Sequence, residues 1–331
     1  MNTTFTTGNA AINTTPTKNA AMNTDIENSP QRSGPLAFCL PSRNAAPRFL
    51  RHALIACAII CAAPHVRAAV IIQDGFDGAP GDTNPTIYYI GAAAGNIVTP
   101  SATTPAVGST GAITGKAYNQ VSSSSNSGEV INFTAVTLLT GDSITLSFNY
   151  ANRTVPTQGT LQFGFFNSMG APVTASGAAP NGTTTHVGYF VQKNTAVSST
   201  DCAMYATLGG AGSIGITTIN VATNATKLGA TISSGVGTAA LISHSVTFTL
   251  ALGSGNVLTE TLIFDGTSYG RTSTPVTTTF NEFMWDPSTW GGYGTYVDNL
   301  VVTSVPEPAT WALLAFSLTT VVVMRRRRVQ G

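Results

Sequence analysis

The sequence predicts an all-β fold, an antiparallel β-sandwich of the jelly-roll kind, and three observations predict it. Only 9% of the 331 residues are charged, against roughly 25% in an ordinary soluble domain. Thr, Ser, Gly, Ala and Asn take their place, short or β-branched residues that favour strands and turns over helix surfaces built from Glu, Lys and Arg. Several runs alternate apolar and polar residues with period two, and no amphipathic helix of any length separates them. This excludes βαβ architectures and leaves two packed sheets.

Residues 1–42, polar and rich in Asn and Thr, read as a disordered extension, with Met22 a second candidate start. Residues 43–68 read as a signal peptide. Arg43, Arg48 and Arg51 form a basic region, Ala53 to Ala63 an apolar run, and Val66-Arg67-Ala68 offers signal peptidase small or β-branched residues at −3 and −1, so cleavage is expected after Ala68. The apolar run is too short for an ordinary spanning helix.

The body, residues 69–304, is expected to form one domain. Ile144, Leu146, Phe148 and Tyr150 share one strand face, as do Leu161, Phe163 and Phe165, then Val187, Tyr189 and Val191, then Val246, Phe248, Leu250 and Leu252. Such one-sided alternation belongs to antiparallel sheets with one face buried. Gly141-Asp142, Asn181-Gly182, Gly253 to Asn256 and Asp265-Gly266 supply the turns. Stretches 91–128 and 206–240, rich in Gly, Ser and Thr, are expected to be long loops or edge strands. Between Ala69 and Val305 five bases face eleven acids, a formal charge of −6. An acidic body without a basic patch excludes nucleic acid as the partner, because phosphate neutralisation needs clustered Lys and Arg. Cys39, Cys57 and Cys61 precede the expected cut, which leaves Cys202 alone and the body without an internal disulfide.

The chain closes on "VPEPATWALLAFSLTTVVVMRRRRVQG", residues 305–331. Ala309 to Met324 is an uncharged apolar run that spans roughly 24 Å as a helix, enough for a thinned bilayer when Arg325 snorkels. Arg325, Arg326, Arg327 and Arg328 stop transfer and fix this end inside, the body outside. Pro306-Glu307-Pro308 keeps the preceding backbone extended and unpaired, as a protease needs. This order of motif, apolar segment and Arg cluster resembles the PEP-CTERM sorting signal of Gram-negative bacteria. The resemblance implies a precursor held in the inner membrane, cut near Pro306, Glu307 and Pro308 by an exosortase, and released to the cell surface or extracellular matrix. An uncut tail anchor is the alternative.

Within the body, "IIQDGFDG", "TLIFDGTSYG" and "TYVDNLVV" resemble strands of the concanavalin-like or laminin-G-like jelly rolls. That resemblance implies that the first and last strands are neighbours, which would bring Asp77 close to Asp298. Calcium at Asp77 and Asp298, with Asp74 and Asp82 nearby, is one candidate site, because hard cations take several carboxylate and carbonyl oxygens. The acids capping turns is the simpler alternative. The richest constellation is "FNEFMWDPSTWGGYGTYVDN", where Trp285, Trp290, Tyr293 and Asp286 are candidate glycan contacts, since flat aromatic faces bounded by carboxylates suit sugar rings. The competing reading is that these aromatics pack one end of the sandwich.

Enzymatic motifs fail. Gly266-Thr267-Ser268-Tyr269-Gly270 matches G-x-S-x-G, but no histidine follows it. Gly111 to Lys116 is one residue short of a P-loop, and no H-E-x-x-H occurs. The expected function is thus a non-enzymatic, exported surface or matrix protein that meets exopolysaccharide. The alternatives are a glycan-cleaving enzyme using Glu282 and Asp286, or a purely structural matrix protein.

Overall fold

The computed structural model describes residues 68–91, 95–121, 127–154, 160–177, 185–194, 201–209, 225–233, 239–288 and 294–306. All fall within one compact unit, Cys57–Gly331. The expected signal peptide up to residue 67 and the sorting segment from residue 307 lie outside them. Among the described residues there is no α-helix, and no helix long and apolar enough to cross a membrane.

In chain order the strands are β1 (Ala69–Asp74), β2 (Ile87–Gly91), β3 (Asn96–Val98), β4 (Thr104–Pro105), β5 (Ala117–Val121), β6 (Ser127–Thr137), β7 (Ser143–Asn152), β8 (Thr160–Asn167) and β9 (Val187–Asn194). They continue with β10 (Asp201–Thr207), β11 (Ala225–Lys227), β12 (Ile232–Ser233), β13 (Ile242–Gly253), β14 (Val257–Phe264), β15 (Thr267–Ser273), β16 (Thr279–Ser288) and β17 (Gly294–Val305). The first sheet runs β15-β14-β13-β7-β17-β5-β3, with β1 also on β17 and β4 on β13. The second runs β11-β10-β9-β8-β16-β6-β2, with β12 on β10. Every pairing between these strands is antiparallel except the short β4–β13 ladder. The fold is therefore an all-β antiparallel sandwich of two sheets, consistent with a jelly roll, its last two strands slotted between earlier ones. The Gly-rich stretches contribute short strands: β3, β4 and β5 in the first sheet, β11 and β12 in the second.

The inward series predicted from alternation meets between the sheets. Ile144, Leu146, Tyr150, Leu161, Phe163, Phe165, Tyr189, Val191, Phe248 and Leu250 are all fully buried. Phe165 sits at the centre, its ring 6.4 Å from Phe133, 6.3 Å from Phe248, 6.1 Å from Phe280 and 6.5 Å from Phe283. Close strand approach needs glycine at two points: a Cβ on Gly164 would lie 2.1 Å from the Tyr189 carbonyl, and one on Gly188 2.2 Å from that of Phe165.

One-sided burial does not hold in the second sheet. Phe166, Phe190, Ala203, Tyr205, Val130 and Met284 form a second buried cluster on its outer face, with Val173 laid over them. Val173 belongs to the segment 168–177, which is tied to the second sheet by several hydrogen bonds. Asn132 Nδ2 donates to the Val173 carbonyl (2.6 Å), Val173 N to Glu282 (3.0 Å) and Gly177 N to the Tyr89 carbonyl (3.0 Å).

The expected adjacency of first and last strands is observed, with Ala69 opposite Ser304 and Asp74 opposite Leu300.

Replacing Phe165 by alanine leaves a cavity bounded by four other rings, which should cost about 3–5 kcal/mol of unfolding free energy. Urea denaturation checks this through a lower midpoint at unchanged slope.

Candidate functional site

The aromatic and acidic stretch picked out by sequence is divided by the pleat, because successive side chains of a strand point to opposite faces. On β16, Phe283 and Trp285 face inward, while Glu282, Met284 and Asp286 face out of the second sheet. Trp285 is 1% exposed. Its ring stacks on Phe283 at 5.1 Å and meets Tyr118 edge-on at 5.6 Å. The expectation of a sugar platform at Trp285 is corrected by this placement: both indole faces are taken by core packing. Trp290 and Tyr293 lie outside the described residues.

Asp286 is on the other side. It is 2% exposed, and its Oδ1 has no hydrogen-bond partner among the described residues. Burial pushes its carboxyl up to about 7. The ladders put it in a row across the outer face, Asp286 opposite Gln162 and Gln162 opposite Gln192, and the Gln162 amide donates to Gln192 at 2.8 Å. Beside this row runs a ribbon of rings, Phe166, Phe190 and Tyr205, stacked at 6.4 and 5.1 Å. This face thus groups a carboxyl, two amides and three rings, of which Asp286, Gln162, Phe166, Phe190 and Tyr205 are buried and Gln192 is half-buried; carboxyls, amides and flat rings are the groups that carbohydrate recognition uses.

Glu282 shares that face but is committed elsewhere. Its Oε1 accepts from Val173 N at 3.0 Å, and Oε2 lies 2.9 Å from His186 Nδ1. That contact is close but poorly aligned for a hydrogen bond. His186 Nε2 donates to the Ala171 carbonyl at 3.0 Å. The clasp holds the 168–177 segment in place. Four strand residues separate Glu282 from Asp286, roughly 13 Å along the backbone, wider than the 5–9.5 Å that paired glycosidase carboxyls keep.

Two buried polar groups went unnoticed in the sequence. Glu129, opposite Trp285 on β6, points between the sheets beside Tyr118 and accepts from Gly95 N at 3.3 Å. Burial pushes its carboxyl up to about 8, and the Asp286 charge adds to this. Further along the core, His244 Nδ1 meets Asp265 Oδ2 at 2.7 Å, and Asp265 Oδ1 accepts from Ser245 N at 2.9 Å. Lys193 is fully buried nearby, donating to the Asn194 carbonyl at 2.7 Å with its ammonium 5.8 Å from the Phe264 ring centre. Only the Asp265-Gly266 turn signal hinted at this cluster.

Asp77 and Asp298 come close enough to repel. Burial above all, with the charges of Asp77 and Asp74 adding, holds Asp298 up at about 6. Yet each carboxylate accepts from a backbone amide: Asp74 from Phe76 N (2.7 Å), Asp298 from Asn299 N (2.7 Å), and Asp77 from Lys116 N of a distant segment (2.5 Å). Among the described residues no group of three carboxylate, His or Cys side chains is arranged to hold a metal ion. The calcium expectation thus finds its acids adjacent but not gathered into a coordination shell.

No family model matches this chain, and no curated protein matches it. Solved structures similar to it include a carbohydrate esterase from a Shiga toxin-encoding bacteriophage, 16% identical over 72% of this chain and 100% of that one, TM-score 0.39. Others are a lectin from Bauhinia forficata in complex with GalNAc, 13% identical over 73% of this chain and 100% of that one, TM-score 0.37, and an alginate lyase, 14% identical over 58% and 82%, TM-score 0.33. At these identities and TM-scores none assigns a role to a residue of this chain. The class that the geometry defines is a two-sheet antiparallel sandwich with a polar and aromatic row on one outer face.

The raised carboxyls make stability depend on pH with a definite sign. The folded state keeps protons on Asp286 and Glu129 that the unfolded chain, with ordinary values of 3.8 and 4.5, releases earlier. The contribution of these two groups to stability therefore falls as pH rises from about 4 to about 8. Asp286→Asn removes one of these ionisations. In thermal melts from pH 4 to 9 it should gain on the parent protein at pH 8 but not at pH 4, and parallel pH curves would show that Asp286 is not the group responsible.

Proposed function

We propose that this is an exported, non-enzymatic sandwich protein, held at the inner membrane by its sorting segment, freed by an exosortase to the cell surface or extracellular matrix, and there binding polysaccharide. One observation carries the reading. β1 begins at Ala69, the first residue after the expected signal-peptidase cut, and β17 ends at Val305, with Pro306 exposed and opening the Pro306-Glu307-Pro308 motif. Cuts at the two points would release a complete sandwich without removing a residue from β1 or β17. The row of Asp286, Gln162 and Gln192 on one outer face, with an Asp286 oxygen that no described residue bonds, supports the carbohydrate part. The engagement of Glu282 by His186 and Val173 supports a binding rather than a hydrolytic role.

Intact-mass analysis of protein recovered from envelope and medium tests the sorting reading. It should find a body that starts near Ala69, ends near Pro306 and lies outside the inner membrane. A protein that keeps Arg325 to Arg328 and stays with the inner membrane would replace it with a permanent anchor.

The binding reading is tested on the producing cell's own exopolysaccharide. Asp286→Ala should weaken retention by about ten- to a hundredfold, the worth of one hydrogen bond to a charged group. Trp285→Phe, in the core, should leave it unchanged. Release of reducing ends by the purified protein, lost in Glu282→Gln, would favour the glycan-cleaving alternative instead.

A further inference from the structure

Large apolar side chains that remain exposed are few, and they are not scattered. Among the described residues they are Val70, Ile97, Val107, Leu139, Met169, Leu208 and Val257. Strand register places five of the seven at one end of the sandwich. Val305 is opposite Ser143 and Ser143 opposite Ala251, so the β6–β7 turn with Leu139 lies beside the point where the chain leaves β17. Gly141 N donates to the Leu252 carbonyl at 2.6 Å, and Gly253 opposite Val257 closes the next turn at the same level. Val70 lies opposite Thr303. In the second sheet, Thr137 at the end of β6 is opposite Thr279. The same end therefore receives the close of β8, followed by Met169, and the close of β10, followed by Leu208.

These side chains are presented, not incidentally uncovered. Leu139 and Leu208 are each 68% exposed and Met169 60%. Met169 sits at φ 53°, a left-handed conformation uncommon for a bulky residue, fixed by its N–H donating to Asn167 Oδ1 at 2.8 Å. In the described turns at this end, 138–142, 168–171, 208–209, 253–257 and 274–278, Asp142 alone carries a charge, and its carboxylate accepts from Leu139 N at 2.9 Å.

We propose that this end is a bilayer-docking face, on which Leu139, Met169, Leu208 and Val257 enter the interfacial layer while the body is still attached to its sorting segment. The inference rests on the anchor reading of residues 309–324. The occupant follows from where the chain goes: after Pro306 only two residues precede that apolar run, roughly 10 Å of extended chain. The end of β17 is thereby kept at the membrane surface. Apolar side chains ringed by few charges partition into that interface. Docking would stand the strands upright on the membrane, keep Pro306-Glu307-Pro308 at headgroup level within reach of a membrane-embedded protease, and hold the Asp286 row away from the lipid.

The test uses the full chain with Cys39→Ser, Cys57→Ser and Cys61→Ser. Cys202 stays, because it is buried and burial pushes its thiol up to about 12, out of the reactive range. Leu139→Cys, Met169→Cys, Leu208→Cys and Val257→Cys each receive a fluorophore. The control is Val107→Cys, 98% exposed at the opposite end, next to the residues that contact Ser243 and Asp265. The proteins are reconstituted into phosphatidylethanolamine–phosphatidylglycerol vesicles carrying a headgroup nitroxide. Quenching at the four positions should exceed that at position 107 by about twofold or more. Vesicle-bound protein whose four labels quench no more than the control overturns the docking face and leaves the anchor reading standing. A chain that does not float with the vesicles overturns both.

Discussion

Both sheets depend on the insertion of the last two strands between strands laid down far earlier. β16 enters between β8 and β6, and β17 between β7 and the β5 and β1 side. Without them the first sheet falls into three unconnected pieces and the second into two, and the central ring Phe165 loses Phe280 and Phe283 from its surroundings. The Trp285–Glu129 pairing closes a loop of more than 150 residues, and ordering so distant a contact must be paid in chain entropy before burial returns anything. Completion of the fold therefore falls to the two strands that come last in the chain.

The same two strands decide the chemistry. Because β16 is central, its pleat faces two different environments, a dry inter-sheet core and an outer face. Period two sends Phe283 and Trp285 into the first and Met284 and Asp286 to the second. Glu129, across the ladder from Trp285, completes an arrangement in which two carboxyls a few ångströms apart in sequence register lie on opposite sides of one sheet. Neither has a cationic partner among its named neighbours, so burial is the largest cause of both shifts, and the Asp286 charge adds to that of Glu129.

Much of the inner face was legible in the sequence, and little of the outer. Ile144, Leu146, Phe148 and Tyr150 alternate with Ser, Thr and Asn, so the buried side identifies itself. In β8 and β9 the residues Phe165-Phe166 and Tyr189-Phe190 are consecutive, and alternation cannot say which of two adjacent rings faces in when both are buried. The cover over the outer cluster, Val173, comes from an irregular segment with no periodic signal. The stretch from Phe283 to Tyr296 looked like one aromatic patch because nearness in sequence was read as nearness in space. The pairing of His244 with Asp265, or the burial of Lys193 and Glu129, is set by strands tens of residues away, and single-sequence patterning carries no information about them. The acids near Asp298 were legible because the resemblance to jelly rolls implies that first and last strands are neighbours, while the backbone amides that occupy those carboxylates were not.

A β protein with few surface charges must keep its sheet edges from pairing with other copies, since charged edge residues are the usual protection. Here geometry takes over that task. β3 and β11 are three residues long and β4 and β12 two, too short to template a new strand. At the other edge of the first sheet, β15 is longer, and Arg271 reaches from it to the Leu228 carbonyl (3.1 Å) and the Ala230 carbonyl (2.9 Å). Gly229 at φ 77° allows this, since a Cβ there would lie 2.7 Å from Arg271 Nε. One of the five bases of the body is thus used to pin a cover over the edge most open to association. With Cys202 sealed in the core and unable to cross-link copies, resistance to association rests on short edges, a pinned cover and the acidic surplus of the body.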